Sequence, residues 1–470
     1  MAVECIEGMS VCVALAYWAA SFAVLLLRLF CPEFAFLSSY GGRTAAATTT
    51  ADVGDVSRER EGENSSAASV AILTRWCATP VHLLASSPLG TRRITRKQSF
   101  TVFYTIGLAT SASLFWIRST DNRGGAVSGP HPLAALSSPA PSPSLTCVPL
   151  LLFTLHCSVR LIETRLVQRF RERDTVTLFA AVAGSTFYVM AAVSSAAPSH
   201  TYVPRGSHWL QRLVVVRCLF CAAAMAHLSL QAIQVTAHTI LARLRQSPSH
   251  TVSSTKEAYV RDWEEGLWRR VQGRLASSRV AQSEPPNALS APPALYGAWR
   301  RYRYPYFSNV CFQVVLDPHY TCEVAMYAVN TALLFLCGLP DATQPAANIA
   351  AGAVRGTGSR LPTDGPRWWS IACASVPCLQ LLASVGVTVF TATNLSITSA
   401  EHRRFWMAAN AHRRLIAGAL RAVLDEEQPK ALDNGGGRVP AEVVNAAEYM
   451  LREAVREEVL PRWNMFPLVW

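Results

Sequence analysis

The stretch LDPHYTCEVAMY, residues 316–327, opens an apolar run that continues to Leu339. His319 and Glu323 are four residues apart, so on a helix they share one face, about one turn from each other. A carboxylate at the mouth of a membrane-length segment is expensive to bury, and it marks a polar group that works inside a bundle. This reading makes the segment a membrane helix with a functional face.

Six further segments have the same length and apolar character. With Tyr320–Leu339, the set is Met9–Cys31, Phe100–Ile117, Thr146–Ile162, Thr175–Ala197, Leu213–Leu241 and Trp369–Thr391. Half of the 470 residues are hydrophobic and 16% are charged, a balance foreign to soluble domains. The expected fold is an all-α integral membrane protein, with seven transmembrane helices around one polar cavity. The first segment has no basic residue ahead of it and ends at Arg28 and Pro32, which reads as an uncleaved anchor.

The formal net charge of +12 would suit nucleic acid, but its distribution excludes that partner. Basic residues gather in alternate connections: Arg92, Arg93, Arg96 and Lys97, then Arg165, Arg169, Arg171 and Arg173, then the arginines between 243 and 303. By the positive-inside rule these loops face the cytosol, with the N-terminus in a lumen and the C-terminus cytosolic. Most of the thirteen cysteines lie in or beside the spans, so they form no disulfide framework. Cys218 and Cys221 read as packing residues of a helix, and no zinc spacing appears. The sequons at Asn64 and Asn394 fall on the cytosolic side, where they would stay unmodified.

The chain divides into a first helix with a low-complexity loop (1–98), a four-span block (99–245), a polar insertion (246–299), a two-span block (300–406) and a charged tail region (407–470). Stretches 40–68 and 119–146 are rich in small residues, Ser or Pro and read as disordered loops. Within the insertions, Glu257–Leu275 and Ala441–Glu458 have the mix of apolar and charged residues expected of helices at the membrane face. The glycines of 434–438 follow no strand and make a poor phosphate loop.

Ionisable residues recur at helical spacing near the basic loops. LHCSVRLIETR aligns His156, Arg160 and Glu163; the fifth span aligns Gln234, His238 and Arg245; the sixth carries His319 and Glu323; the seventh ends with Asn394, His402 and Arg404. Taken singly, an arginine there is an anchor and a histidine a helix-to-helix bond. Together the four groups describe a polar cavity at one face, with arginines suited to phosphate and Glu, Asn and His suited to amides and hydroxyls. Such a cavity fits a polyanionic cytosolic cofactor such as NADPH without a dinucleotide fingerprint.

FTVFYTIGLATSASLFW, LLFTLHCSVRLIETRLVQRF, HTILARLR, DPHYTCEVAMY and PRWNMFPLVW, in this order, resemble the steroid 5α-reductase family. More narrowly they are similar to its polyprenol (polyprenal) reductase branch: His156-Cys157, Phe100-x-x-Phe103-Tyr104 and Pro318-His319-Tyr320 all match that branch. The resemblance covers every span but the first. It implies a seven-helix oxidoreductase of the endoplasmic reticulum membrane that uses NADPH on a long-chain polyprenyl lipid, in the dolichol synthesis that supports protein N-glycosylation. It implies a cofactor site of Gln234, His238, Arg245, Arg303, His319, Glu323, Asn394, His402 and Arg404, with Tyr104, His156 and Glu163 as catalytic candidates. The chain departs from the family at Trp406, where a tyrosine is usual, and at Leu460-Pro461, which replaces Tyr-Pro. A steroid reductase and a catalytically silent membrane paralogue are the alternatives.

Overall fold

Runs rich in Ala, Leu and Val dictate helices, and among the described residues seven principal ones form. They are α1 (Ala2–Phe30), α2 (Arg96–Gly124), α3 (Val148–Ile162), α4 (Leu178–Ser194), α5 (Trp209–Leu244), α6 (Pro318–Gly338) and α7 (Trp368–Asp433). The computed structural model describes residues 2–30, 34, 81–124, 145–170, 174–197, 209–244, 266–267, 269–274, 304–305, 308–338, 368–433, 444–445, 448, 460–461 and 463–465. Six of the seven helices are long and apolar enough to cross a bilayer. Large apolar side chains on their outer faces, such as Leu26, Val102, Trp116, Val215, Met225 and Val389, are exposed and would face lipid. The protein is an all-α, multi-pass membrane protein.

The fourth apolar segment is shorter than its sequence suggested. Thr175–Thr177 forms a strand (β2) antiparallel to Arg93–Thr95 (β1) instead of the first helical turn. The Thr177 hydroxyl then accepts from the amide of Ala180 at 3.1 Å and starts α4, which has 17 residues. At 1.5 Å per residue this helix spans about 25 Å, a little under the thickness of a hydrocarbon core. The small ribbon has a second effect, because it pins the starts of α2 and α4 together. Gly184 of α4 lies so close to the Phe103 ring of α2 that a Cβ there would overlap it.

The seventh helix is longer than expected. It runs through the charged stretch 407–433 without a break and ends at Asp433, directly before Asn434 and three glycines. Arg274 pairs with Glu426 on this extension, which ties the helical residues 269–274 of the insertion to α7. The rest of Glu257–Leu275, and all but 444–445 and 448 of Ala441–Glu458, lie outside the described residues, as do both low-complexity loops.

Two kinds of contact hold the bundle. The first is an aromatic core of Trp18, Phe103, Tyr104, Phe153, Tyr188 and Tyr327, contributed by α1, α2, α3, α4 and α6, with Phe187 and Phe390 packed against it. The second is hydrogen bonding between helices, which suits an apolar medium. Thr331 of α6 bonds Ser384 at 2.8 Å and Thr388 at 2.9 Å on α7. Gln380 of α7 donates at 2.9 Å to the carbonyls of both Val193 and Ser194 in the last turn of α4. Finally, residues 463–465 lie along the start of α6: Leu316 donates to the Trp463 carbonyl at 3.0 Å, and the Thr321 hydroxyl to that of Met465 at 2.7 Å.

Candidate functional site

The polar stripes of α3, α5 and α6 do meet, at the end of the bundle that carries the basic loops. α3 ends in a wider π turn over Glu163–Val167, closed by the Gln168 amide on the Glu163 carbonyl at 2.7 Å. Such turns are frequent at functional sites, and this one places Glu163 beside Arg160. Arg160 Nη1 donates to Glu163 at 2.5 Å and lies 2.6 Å from His238 Nδ1 of α5. Its Nη2 donates to the Tyr104 hydroxyl of α2 at 2.9 Å, and the guanidinium carbon lies 5.2 Å from the centre of that ring. All four side chains are buried. His238 Nδ1 is also 3.1 Å from Glu163, so this one nitrogen either accepts from Arg160 or donates to the carboxylate.

A second layer surrounds this core. The His238 and His319 rings pack edge to face at 5.0 Å, and the Tyr320 ring follows at 4.2 Å from His319. Gln234 donates to the His319 carbonyl at 3.2 Å and to Glu323 at 3.4 Å. That bond is long, so the Glu323 carboxylate keeps acceptor capacity. His156 lies deeper and bonds Gln231 at 2.9 Å. Tyr104, His156, Glu163, Gln234, His238, His319 and Glu323 therefore belong to one assembly. Glu163 bonds Arg160 and His238, and it reaches Tyr104 through Arg160.

Asn394, His402 and Arg404 stand elsewhere. Asn394 accepts from Arg28 Nη1 of α1 at 2.9 Å, and Arg28 Nη2 donates to Glu401 at 2.9 and 3.1 Å. Asp317, at the mouth of α6, accepts from Ser399 at 2.6 Å and from His402 at 3.2 Å. Arg403 reaches back to the Asn464 side chain and the Pro461 carbonyl. Arg404 is exposed. The stripes thus make two clusters rather than one ring around a cavity, bridged by Tyr320, whose ring stacks on His402 at 5.7 Å. Arg245 and Arg303 lie outside the described residues.

Sequence reasoning left Arg160 out of the candidate site, although it shares the stripe of His156 and Glu163 and is the hub of the first cluster. It also gave no role to Arg28, Gln231 or Asp317. Arg28 sits at a helix end, where an arginine reads as an anchor. Trp406 has a packing role: its ring meets Tyr304 at 5.4 Å, and it packs against a cluster of Ala237, Phe312 and Leu316. Leu460 fills the same cluster. Cys218 and Cys221 are exposed on α5 and unpaired. Between α3, α5 and α6, next to the first cluster, a narrow crevice is lined by His156, His227, Glu323 and Tyr327 among others.

Compared with family models, with curated proteins and with solved structures, the chain matches none.

Proposed function

We propose that the protein is an NADPH-dependent reductase that saturates the α-isoprene double bond of a polyprenyl lipid, polyprenal, in dolichol synthesis. In this reading the shorter α4 also crosses the membrane, giving seven spans in the endoplasmic reticulum, with the N-terminus lumenal and the C-terminus cytosolic. One observation carries it: a buried Arg160–Glu163–His238 cluster holds a tyrosine hydroxyl where an aromatic core meets a carboxylate with spare acceptor capacity. Buried charge of this kind in a membrane bundle is costly and is kept for function.

The residues fit the nicotinamide end of NADPH. The Glu323 carboxylate can accept from a carboxamide N–H, and His319 and Gln234 border it; Arg404, exposed at the rim, is free to meet phosphate. When bound, the cofactor supplies a hydride. The protein's own part follows from its geometry. Arg160 donates to the Tyr104 oxygen, which directs the phenol proton away from the guanidinium. Tyr104 can then donate a hydrogen bond to an oxygen that gains negative charge, while the Arg160 cation strengthens it as a donor. Hydride addition at the β-carbon of an enal makes such an oxygen, and a proton then adds at the α-carbon. An allylic alcohol offers no carbonyl to take up the charge, which is why the aldehyde is the substrate. Glu163 and His238 hold Arg160 in place, and the aromatic core excludes water from the reacting carbons.

The test offers polyprenal, polyprenol and a 3-oxo-Δ4 steroid in parallel to membranes that contain the protein and NADPH, with products read by mass spectrometry. Dolichal from polyprenal alone is the expected result. Steroid reduction without prenyl reduction would move the protein to the steroid branch. No product from any substrate would favour a silent paralogue.

A further inference from the structure

The void between α3, α5 and α6 holds more polar chemistry than the reaction uses. His156, Tyr327 and Asn330 line it and are each more than nine-tenths buried. His156 Nε2, both ring nitrogens of the buried His227, the Tyr327 hydroxyl and Asn330 Oδ1 all find no hydrogen-bond partner among the described residues. Leaving a buried polar group unpaired is costly, so four such side chains around one void call for a ligand.

The hydrogen-bond chain beside the void fixes what His156 offers. The His319 carbonyl can only accept, so Gln234 turns its NH₂ toward it. The Gln234 oxygen then faces Gln231, whose NH₂ donates to it at 3.2 Å. That turns the Gln231 oxygen toward His156, and Nδ1 must carry the hydrogen of their 2.9 Å bond. In a neutral ring Nε2 is therefore a bare lone pair. Tyr327, beside it at 6.2 Å between ring centres, brings an O–H. The pair offers one acceptor and one donor, the complement of a hydroxyl group.

We propose that this void is a subsite for the terminal hydroxyl of a long-chain alcohol. Its O–H donates to His156 Nε2 and its oxygen accepts from Tyr327. An aldehyde or ether, which only accepts, would satisfy Tyr327 and leave His156 unpaired. The flanks suit a hydrocarbon: Phe153 and Tyr327 continue into the aromatic core, and on the other side Leu152, Phe220 and Leu333 form an apolar plug. The void is narrow, and a hydroxyl enters when lining side chains shift. Met326, with its flexible thioether, is the lining residue best able to do so. The inference rests on the reductase reading for the lipid class alone. It adds that the alcohol form binds beside the Tyr104 site, with its oxygen between His156 and Tyr327, without being reduced.

The experiment uses the full chain in nanodiscs, without NADPH, and a photoreactive short isoprenoid alcohol. Crosslinking is competed by the unlabelled alcohol, its methyl ether and its aldehyde. The alcohol should compete about tenfold better than either, the worth of one hydrogen bond to a buried group. In Tyr327→Phe that advantage should shrink severalfold, with the unfolding temperature as a check on the fold. Equal competition by alcohol and ether would mean that the void does not select a hydroxyl, and would overturn the proposal. So would an alcohol advantage unchanged in Tyr327→Phe. Because no turnover is read, these outcomes are independent of whether the lipid is reduced.

Discussion

Two polar clusters stand side by side at one end of the bundle, and they are built differently. Around Arg160, on α2, α3, α5 and α6, one cation bonds Glu163, His238 and Tyr104, one His238 nitrogen has two competing partners, and Glu323 is loosely held. Around Asp317 and Arg403, on α6, α7 and the C-terminal segment, each group has a plain partner: Ser399 and His402 on the carboxylate, Asn464 and Pro461 on the guanidinium. The second is a clasp that holds the chain end against the start of α6. The first carries more ionisable groups than any clasp needs. Side by side they teach that burial of charge alone does not mark a site, whereas incomplete pairing in a buried place does.

The contrast predicts a graded series. The largest effect is expected for Arg160→Met, which strands the buried Glu163 at a cost of about 3–5 kcal/mol. Thermal unfolding in detergent would show it, and adding Glu163→Met should recover most of the loss. Gly184→Val comes next, because its side chain would overlap the Phe103 ring; the overpacking costs about 1–3 kcal/mol by the same measurement. Asp317→Ala breaks the clasp and should cost about 1–2 kcal/mol. It should also raise protease access to residues 463–465, with Arg160 chemistry intact. Least disturbed is Arg404→Ala, within about 0.5 kcal/mol of the parent because the side chain is exposed. Its expected effect is a raised KM for NADPH at unchanged kcat.

The helical stripes were legible in sequence because their spacing is local. His156, Arg160 and Glu163 follow at i, i+4 and i+7, and Gln234 and His238 at i, i+4, and each stripe faces the bundle as the period requires. The division into two clusters was not legible. Arg28 meets Asn394 across 366 positions, and nothing near either residue announces the other. The start of α4 was misread because Thr175–Thr177 has strand partners only through β1, a contact set by tertiary structure. The extension of α7 was misread for the opposite reason. Its charges read as part of a charged tail region beyond the span, although Ile416, Leu420 and Val423 follow at helical spacing and are all buried.

The central claim is that Glu323, beside the Arg160 cluster, belongs to a working reductase centre. Its most direct test is deuteride transfer from 4-deuterated NADPH to polyprenal by the parent protein and by Glu323→Gln. Label at the β-carbon of dolichal with the parent, and at least a hundredfold less with the variant at an equal unfolding temperature, is the predicted result. Equal label from both proteins, or none from the parent, would contradict the account.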